Sequence, residues 1–493
     1  MIRKIKKIFT DDWPLLLIAA TTSFMLFLRL GRNVFYDWDE CIYVQYGREM
    51  RLTGNWLTNQ WNGLLGFEKP PGFAWMLQIP FSFGVNEFTA RLTSVFFTIA
   101  LLVAIYFFSK KFFSRRVAIL ASLLLLVSEI VIVYAIRVNT DTPFVFFIFL
   151  SFFFWILSFK KNRFSYLSGI FLGLAVMDKG LGVLVYMAAI FLSIFLNFKK
   201  EKLWNFVLLL IAFIAIITPW HLYQYIDHGS QFIKIYFYEN LVQRANNPIE
   251  FHFGGYGYYL KLLYRELWPW IFAMFILPLY YLINFKKYSS LRAIFQELKQ
   301  QEILFTIILL FILPLISLTR IQTKLPWYAM PMYPFLLIYI AYCMDLLTRQ
   351  FRIKWLFYIL VTLLSLDAFR LIYGETRLYQ SKRDIPPKYA TLMAARQFQQ
   401  KNLYYLVDFS ERQAKAILTP NLTTSTTFIY GGNPCSIYYS GKKVYYYYSP
   451  SEFQKQIKSK HGLYLIENGD LHFIENLSLK KVYKNSDFTL FEN

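Results

Sequence analysis

Three carboxylates fall within four positions in Tyr36-Asp37-Trp38-Asp39-Glu40-Cys41-Ile42-Tyr43, just past the first hydrophobic segment. Further along the chain, ionisable residues recur at the ends of hydrophobic runs. They are Glu68-Lys69 before Pro70-Pro71, Arg137 and Asp141, Asp178-Lys179, Arg244 and His252, and Lys324 ahead of Tyr328. Ionisable groups at membrane depth are costly and usually mark function. Gathered at one membrane face, carboxylates opposite ammonium and guanidinium groups suit an interfacial active site. A transporter would place such groups near the midplane of broken helices. Each group also has a plainer reading. The acids suit a hydrated loop, Lys69 a snorkelling cation ahead of a helix-ending Pro-Pro, and His252 an ordinary hydrogen-bonded loop histidine.

The elements that must position these groups follow from composition. The chain has 493 residues, 56% hydrophobic and 20% aromatic, above the apolar share usual in soluble domains. Runs at about 13–30, 90–108, 117–136, 143–159, 166–177, 181–198, 204–220, 267–285, 303–318, 328–347 and 355–373 predict a polytopic α-helical membrane protein of about 11 transmembrane helices. The net charge of +22 sits in short Lys/Arg clusters in alternate loops, a positive-inside pattern and not a nucleic-acid face. The first run reads as an uncleaved span with a cytoplasmic N-terminus. The Met177–Gly180 break divides the fifth run from the sixth, with Asp178 and Lys179 at the outer turn. Long loops at 31–89 and 221–266 then face outward, the first with an amphipathic stretch at 44–52.

Residues 1–373 form the multispanning domain. From 374 to 493 the composition turns polar, with strand-like runs at 403–409, 425–430, 436–448, 462–467, 471–474 and 481–491 and helices at 388–399 and 451–458. This predicts a soluble extracytoplasmic α/β domain. Cys41, Cys343 and Cys435 give no disulfide framework. A Cys41–Cys435 bridge requires both residues to face an oxidising compartment.

The motifs together resemble a known family. Asp39-Glu40-x-x-Tyr43, Arg48-Glu49-Met50, Gly54-x-Trp56, Phe67-Glu68-Lys69-Pro70-Pro71, Thr140-Asp141-x-Pro143, Lys179-Gly180 and Lys324-Leu325-Pro326-x-Tyr328-x-x-Pro331 are similar to those of bacterial lipid-linked-sugar glycosyltransferases. These are the GT-C-type enzymes typified by the 4-amino-4-deoxy-L-arabinose lipid A transferases, relatives of the protein O-mannosyltransferases. Ile42 stands where the family's Asp-Glu-x-Arg-Tyr has arginine. The resemblance implies an inverting-type transferase in the bacterial inner (plasma) membrane. It would take a sugar from a polyprenyl-phosphate donor to an extracytoplasmic acceptor, lipid A or a like envelope glycolipid, or a protein. Asp39 and Asp141 carry over as catalytic carboxylates. Lys69, Tyr328, Tyr43, Lys179, Arg137 and Arg244 carry over to the donor phosphate, and Glu68 and His252 to a divalent metal. Asp37 and Glu40 read as structural. No nucleotide cofactor or nucleic acid is implied. The competing classes are a protein O-mannosyltransferase-like enzyme and a flippase of lipid-linked cargo.

Overall fold

The computed structural model describes residues 11–28, 30–35, 38–247, 252–284, 297, 301–350, 354–380, 385–398, 401–410, 412–413 and 433–493. Asp37, the basic clusters at 3–7 and 286–299, and the strand expected at 425–430 lie outside them. The chain is a multi-pass membrane protein. Among the described residues six helices are long and apolar enough to cross a membrane: Glu87–Phe112, Asp141–Ser158, Lys200–Asn246, Glu302–Arg320, Pro326–Gln350 and Trp355–Leu378. Two bent pairs raise the number to eight, and Trp13–Phe27 and Leu181–Leu196 are shorter apolar helices. The polytopic helical architecture is as expected, and two of the eleven expected runs are bent or joined to a bent neighbour. The run at 117–136 is two helices, Arg115–Leu126 and Glu129–Ala135, bent by 69°. The run at 267–285 follows the helix Tyr258–Leu267, and that pair bends by 108°. Hydropathy reads composition and is blind to direction, so neither bend left a mark in it.

Helix ends follow their capping residues. Asn86 and Thr89 form a reciprocal capping box that starts the Glu87–Phe112 span. Ser114 accepts from Val117 N at 3.1 Å and starts the next helix. The break expected after Met177 is present: Arg163–Lys179 ends at Gly180, whose φ of 109° no other residue adopts easily. A short 3₁₀ turn then leads into Leu184–Ser193.

The first loop is mostly ordered structure. The helix Trp38–Thr53 is buried over most of its length, so within the stretch at 44–52 Val44–Gly47, Glu49 and Met50 pack inside protein, while Arg51 and Leu52 at its end are exposed. A two-stranded hairpin, β1 (Asn59–Trp61) and β2 (Leu64–Gly66), follows, then the helix Gly72–Phe81. A Cβ on Gly72 would lie 2.3 Å from the Met177 carbonyl oxygen. Only glycine lets the Lys69-Pro70-Pro71 segment approach the Asp178-Lys179 turn this closely.

Glu40 and Arg91 clamp the loop to the bundle. Both are almost wholly buried and meet in a bidentate pair at 2.9 and 3.0 Å. Arg91 also donates to the carbonyls of Leu30, Asn33 and Val34, and Glu40 accepts from Val138 N. Every strong donor and acceptor of the pair is used, the condition under which a buried ion pair is tolerated. Removing one partner leaves the other charge buried and alone. Arg91→Ala is therefore expected to destabilise the protein by about 3–5 kcal/mol, read as a lowered midpoint in thermal unfolding of the purified protein. An unchanged midpoint would contradict this role.

The last long helix, Lys354–Gln380, continues past Gly374. Beyond it a five-stranded mixed sheet has the order β4-β3-β5-β7-β6, from Val444–Tyr447, Leu403–Leu406, Leu463–Glu467, Phe488–Glu492 and Lys480–Lys484 respectively. β3 runs parallel to β4 and β5, and β7 pairs antiparallel with β5 and β6. Two expected strands are corrected. Residues 435–440 form a helix before β4, and 468–473 form a 3₁₀ turn. Tyrosine-rich alternation does not separate a short buried helix from a strand.

This domain docks on the first loop. The Asn62 side chain bonds the Val444 backbone in both directions, at 2.7 and 3.1 Å, and Trp61 stacks on Tyr446. Cys41 and Cys435 form a disulfide, their Cα atoms 4.9 Å apart; this is the pairing that the sequence left open for an oxidising compartment, although three cysteines gave no framework by spacing. Spacing is uninformative when partners lie 394 residues apart. Mass-tagging with a thiol reagent under denaturing, non-reducing conditions is expected to label Cys343 alone and, after reduction, all three cysteines. Cys41→Ser is expected to cost about 2–4 kcal/mol of stability. Three labelled thiols before reduction would contradict the bridge.

Candidate active site

The Trp38–Thr53 helix aims one face into a cavity of about 790 Å³. Asp39, Ile42, Tyr43 and Tyr46 all line it, spaced i, i+3, i+4 and i+7 as one helical face requires. Asp39 sits in the first turn, beside the Glu40 clamp. Lys69 faces this helix from the loop before Gly72. Its Nζ meets the Tyr43 hydroxyl and lies 4.5 Å from the centre of that ring. Asn59 holds the Lys69 backbone, donating to its carbonyl at 2.9 Å. Burial lowers the Lys69 pKa; the charge of Asp39 opposes this, and Lys179 and Arg244 add to it. A further anion in the cavity would favour the charged form of this amine.

Lys179 closes a second side. It lines the cavity and pairs with Asp141. Its Nζ lies 5.7 Å from the centre of the Tyr328 ring. Asp141 begins the Asp141–Ser158 helix and is buried behind Lys179, outside the cavity lining. Its position is that of an anchor for Lys179. Asn139 shapes that helix start by accepting from Thr142 N at 2.9 Å. Arg244 reaches Tyr328 at 3.5 Å between Nη1 and the hydroxyl; it stands at the end of the helix Lys200–Asn246, which occupies the first half of the loop expected at 221–266, and with the turn Pro326–Met332 it completes the rim.

Two expected groups lie elsewhere. Arg137 does not line the cavity. Lys324 donates to the carbonyls of Leu318 and Thr319 at 2.7 and 3.0 Å. It caps the carbonyl end of Glu302–Arg320, a favourable place for a cation. Glu68 and His252 do line the cavity, and Tyr46 donates to Glu68 Oε2 at 2.8 Å. Among the described residues no group of three or more His, Cys, Asp or Glu side chains gathers to hold a metal. Two protein ligands are too few for a protein-only site.

Trp38, Tyr46 and Tyr236 also line the cavity and were not singled out from sequence. The signal for Tyr46 was its helical spacing from Asp39, visible once the helix is begun at Trp38. Away from the charged end, the walls formed by Val185, Tyr186, Pro314 and Leu318 are apolar. The cavity thus joins a charged chamber to an apolar slot between helices.

This architecture matches a solved one. ArnT from Cupriavidus metallidurans, crystallised bound to undecaprenyl phosphate, superposes with a TM-score of 0.72 over 98% of each chain at 18% identity. The chain has the GT-C fold. An Archaeoglobus fulgidus oligosaccharyltransferase is more distant, with a TM-score of 0.54 over 88% of this chain and 64% of that one, at 13% identity. A family model described as dolichyl-phosphate-mannose-protein mannosyltransferase matches residues 68–223. Among curated relatives, an uncharacterised Aquifex aeolicus protein is 28% identical over 68% of this chain and 64% of its own length. An undecaprenyl phosphate-α-4-amino-4-deoxy-L-arabinose arabinosyl transferase of Pseudomonas fluorescens is 27% identical over 65% of this chain and 58% of its own length. The match to such relatives thus spans about three fifths of their length. Within this fold, the charged chamber lies where the first loop, the second long loop and the Lys179 turn converge.

Proposed function

We propose that the protein transfers one sugar from a polyprenyl-phosphate donor to an acceptor outside the cytoplasm, an envelope glycolipid of the lipid A kind. The observation that carries this reading is the joining, in one cavity, of an apolar slot and a chamber where Lys69, Lys179 and Arg244 face Asp39. The slot suits an isoprenoid chain and the cations suit its phosphate. As the bond between C1 of the sugar and the phosphate oxygen breaks, charge grows on a phosphate monoester. Cations fixed in a water-poor site stabilise that charge without reorganising. The acceptor oxygen bonds to C1 from the opposite face, inverting it, and Asp39 takes the acceptor's hydroxyl proton. Asp141 holds Lys179 toward the leaving phosphate. Tyr328 and Tyr43 orient the cations and offer hydroxyls to phosphate oxygens.

Glu68 and His252 would hold a divalent ion only with donor oxygens completing its shell, and no step above is routed through one. The cationic loop clusters and the Cys41–Cys435 bridge support an inner-membrane protein whose site and C-terminal domain face an oxidising compartment. The reading is tested by mass spectrometry of envelope lipids from cells with and without the gene. A glycolipid one sugar heavier is expected only when the protein is present. Identical lipid profiles, with the protein present in the membrane, would overturn the proposed acceptor class.

A further inference from the structure

A second charged surface lies where the Trp38–Thr53 helix meets the C-terminal domain. Arg48 and Arg396, from these two parts, converge on the Tyr438 carbonyl, donating at 3.5 and 2.6 Å. Their guanidinium carbons sit 5.9 and 5.8 Å from the centre of the Tyr438 ring. Burial, and after it the charge of Arg396, lower the pKa of Arg48. Arg51, one turn on from Arg48, is exposed and donates to the Phe81 carbonyl. Among the described residues none of the three arginines pairs with a carboxylate. Their only partners there are two carbonyl oxygens, which leaves most of their donors for an anion.

Beside them the chain exposes apolar side chains. Phe83 is 82% exposed, Ile79 75% and Leu52 71%. Ile79 stands in the last turn of the helix Gly72–Phe81 and Phe83 just beyond its end, shortly before Asn86, the cap of the Glu87–Phe112 span. This segment therefore lies at the start of a membrane span, where exposed apolar side chains meet the acyl boundary of the leaflet. An apolar rim at that level beside unpaired guanidiniums matches the two ends of one ligand, an acyl chain and a phosphate.

We propose that this surface holds an anionic phospholipid of the leaflet on the active-site side. Its phosphate lies between Arg51 and the Arg48–Arg396 pair, and its chain lies along Ile79 and Phe83. The site is separate from the transfer cavity and is read without any transfer reaction, so it stands or falls apart from the proposed activity. The test is native mass spectrometry of the full-length protein released from mixed phosphatidylcholine–phosphatidylglycerol nanodiscs. The wild type is expected to retain phosphatidylglycerol over phosphatidylcholine, and each arginine removed is expected to weaken that preference about fivefold. Arg51→Gln and Arg396→Gln are suitable variants because both side chains are exposed; an unchanged melting temperature and an intact Cys41–Cys435 bridge verify their fold. Phe83→Ser is expected to lower retention as well. Equal retention of the two lipids by the wild type, or undiminished phosphatidylglycerol preference in the double variant, would overturn the proposal. Displacement of phosphatidylglycerol by excess inorganic phosphate would reassign the site to a soluble anion and also overturn it.

Discussion

Replacing Lys69 with alanine is expected to lower transfer by about 10²–10³-fold, the range found when one fixed donor to a developing anion is lost. Lys69 is the cation set between Tyr43 and the charge of Asp39 in the chamber wall. It is half-buried, so no solvent cation takes its place. The loss is expected in both the affinity for the donor and the rate, because the phosphate is anionic before and after the bond breaks. A pH dependence follows from the same burial. The Lys69 pKa is lowered, and only the protonated amine serves the phosphate. Activity must therefore fall as pH rises through that lowered value, earlier than for an ordinary lysine. Lys69→Arg keeps the charge to higher pH, so its alkaline limb is expected to move upward, with a lower maximum because the guanidinium fork does not fit the ammonium's place against Tyr43. An alkaline limb identical in the two proteins would show that Lys69 is not the group that titrates.

Asp39→Asn is expected to lower the rate by about 10²–10⁴-fold, the contribution of a positioned general base, with donor affinity nearly kept. Asparagine preserves shape and the first helical turn, so the loss isolates the proton acceptor. The contrast with Lys69→Ala is the informative part: one variant loses rate alone, the other rate and donor binding. Titration of donor binding to each purified variant separates them. A small loss in Asp39→Asn would mean the acceptor oxygen arrives already ionised, as in a phosphate, and that Asp39 positions it.

Much of this site was legible in the sequence, because its residues sit at helix ends where charge interrupts hydrophobic runs. Asp39, Lys69, Lys179, Arg244, Glu68, His252 and Tyr328 all reach one cavity from four separate segments. What stayed hidden was direction. Arg137 and Lys324 occupy the same kind of position in the sequence, yet one lies off the cavity lining and the other caps a helix. A local pattern places a residue near the membrane surface but does not say which neighbour it faces. Asp141 reached the right neighbourhood and lies behind Lys179. Of the three acids that opened the first loop, Glu40 is held by Arg91 and Asp39 faces the cavity. A one-residue step turns a helical side chain by about 100°, which accounts for the different surroundings of adjacent acids. The bend between Arg115–Leu126 and Glu129–Ala135 was equally invisible, since both halves are apolar. The Cys41–Cys435 bridge was open in the sequence only as a possibility tied to an oxidising compartment, because the contact is made by the folded C-terminal domain.

Ile42 is an apolar residue among the charged groups of the site. It lines the cavity beside Asp39 and Tyr43, where the resembling family carries arginine. An apolar side chain there removes one cation from the chamber and leaves the phosphate to Lys69, Lys179 and Arg244. This is the main reason the largest expected effects fall on so few residues.

The central claim is that one cavity binds a polyprenyl-phosphate sugar and releases its sugar to an acceptor. It is tested most directly by incubating the purified, reconstituted protein with a radiolabelled polyprenyl-phosphate sugar and an extract of envelope lipids, then following the label. The label is expected to pass to an acceptor lipid in the wild type, with free polyprenyl phosphate formed in equal amount, and to remain on the donor with Asp39→Asn and Lys69→Ala. Full transfer by either variant, or a donor that crosses the bilayer with its sugar still attached, would contradict the account.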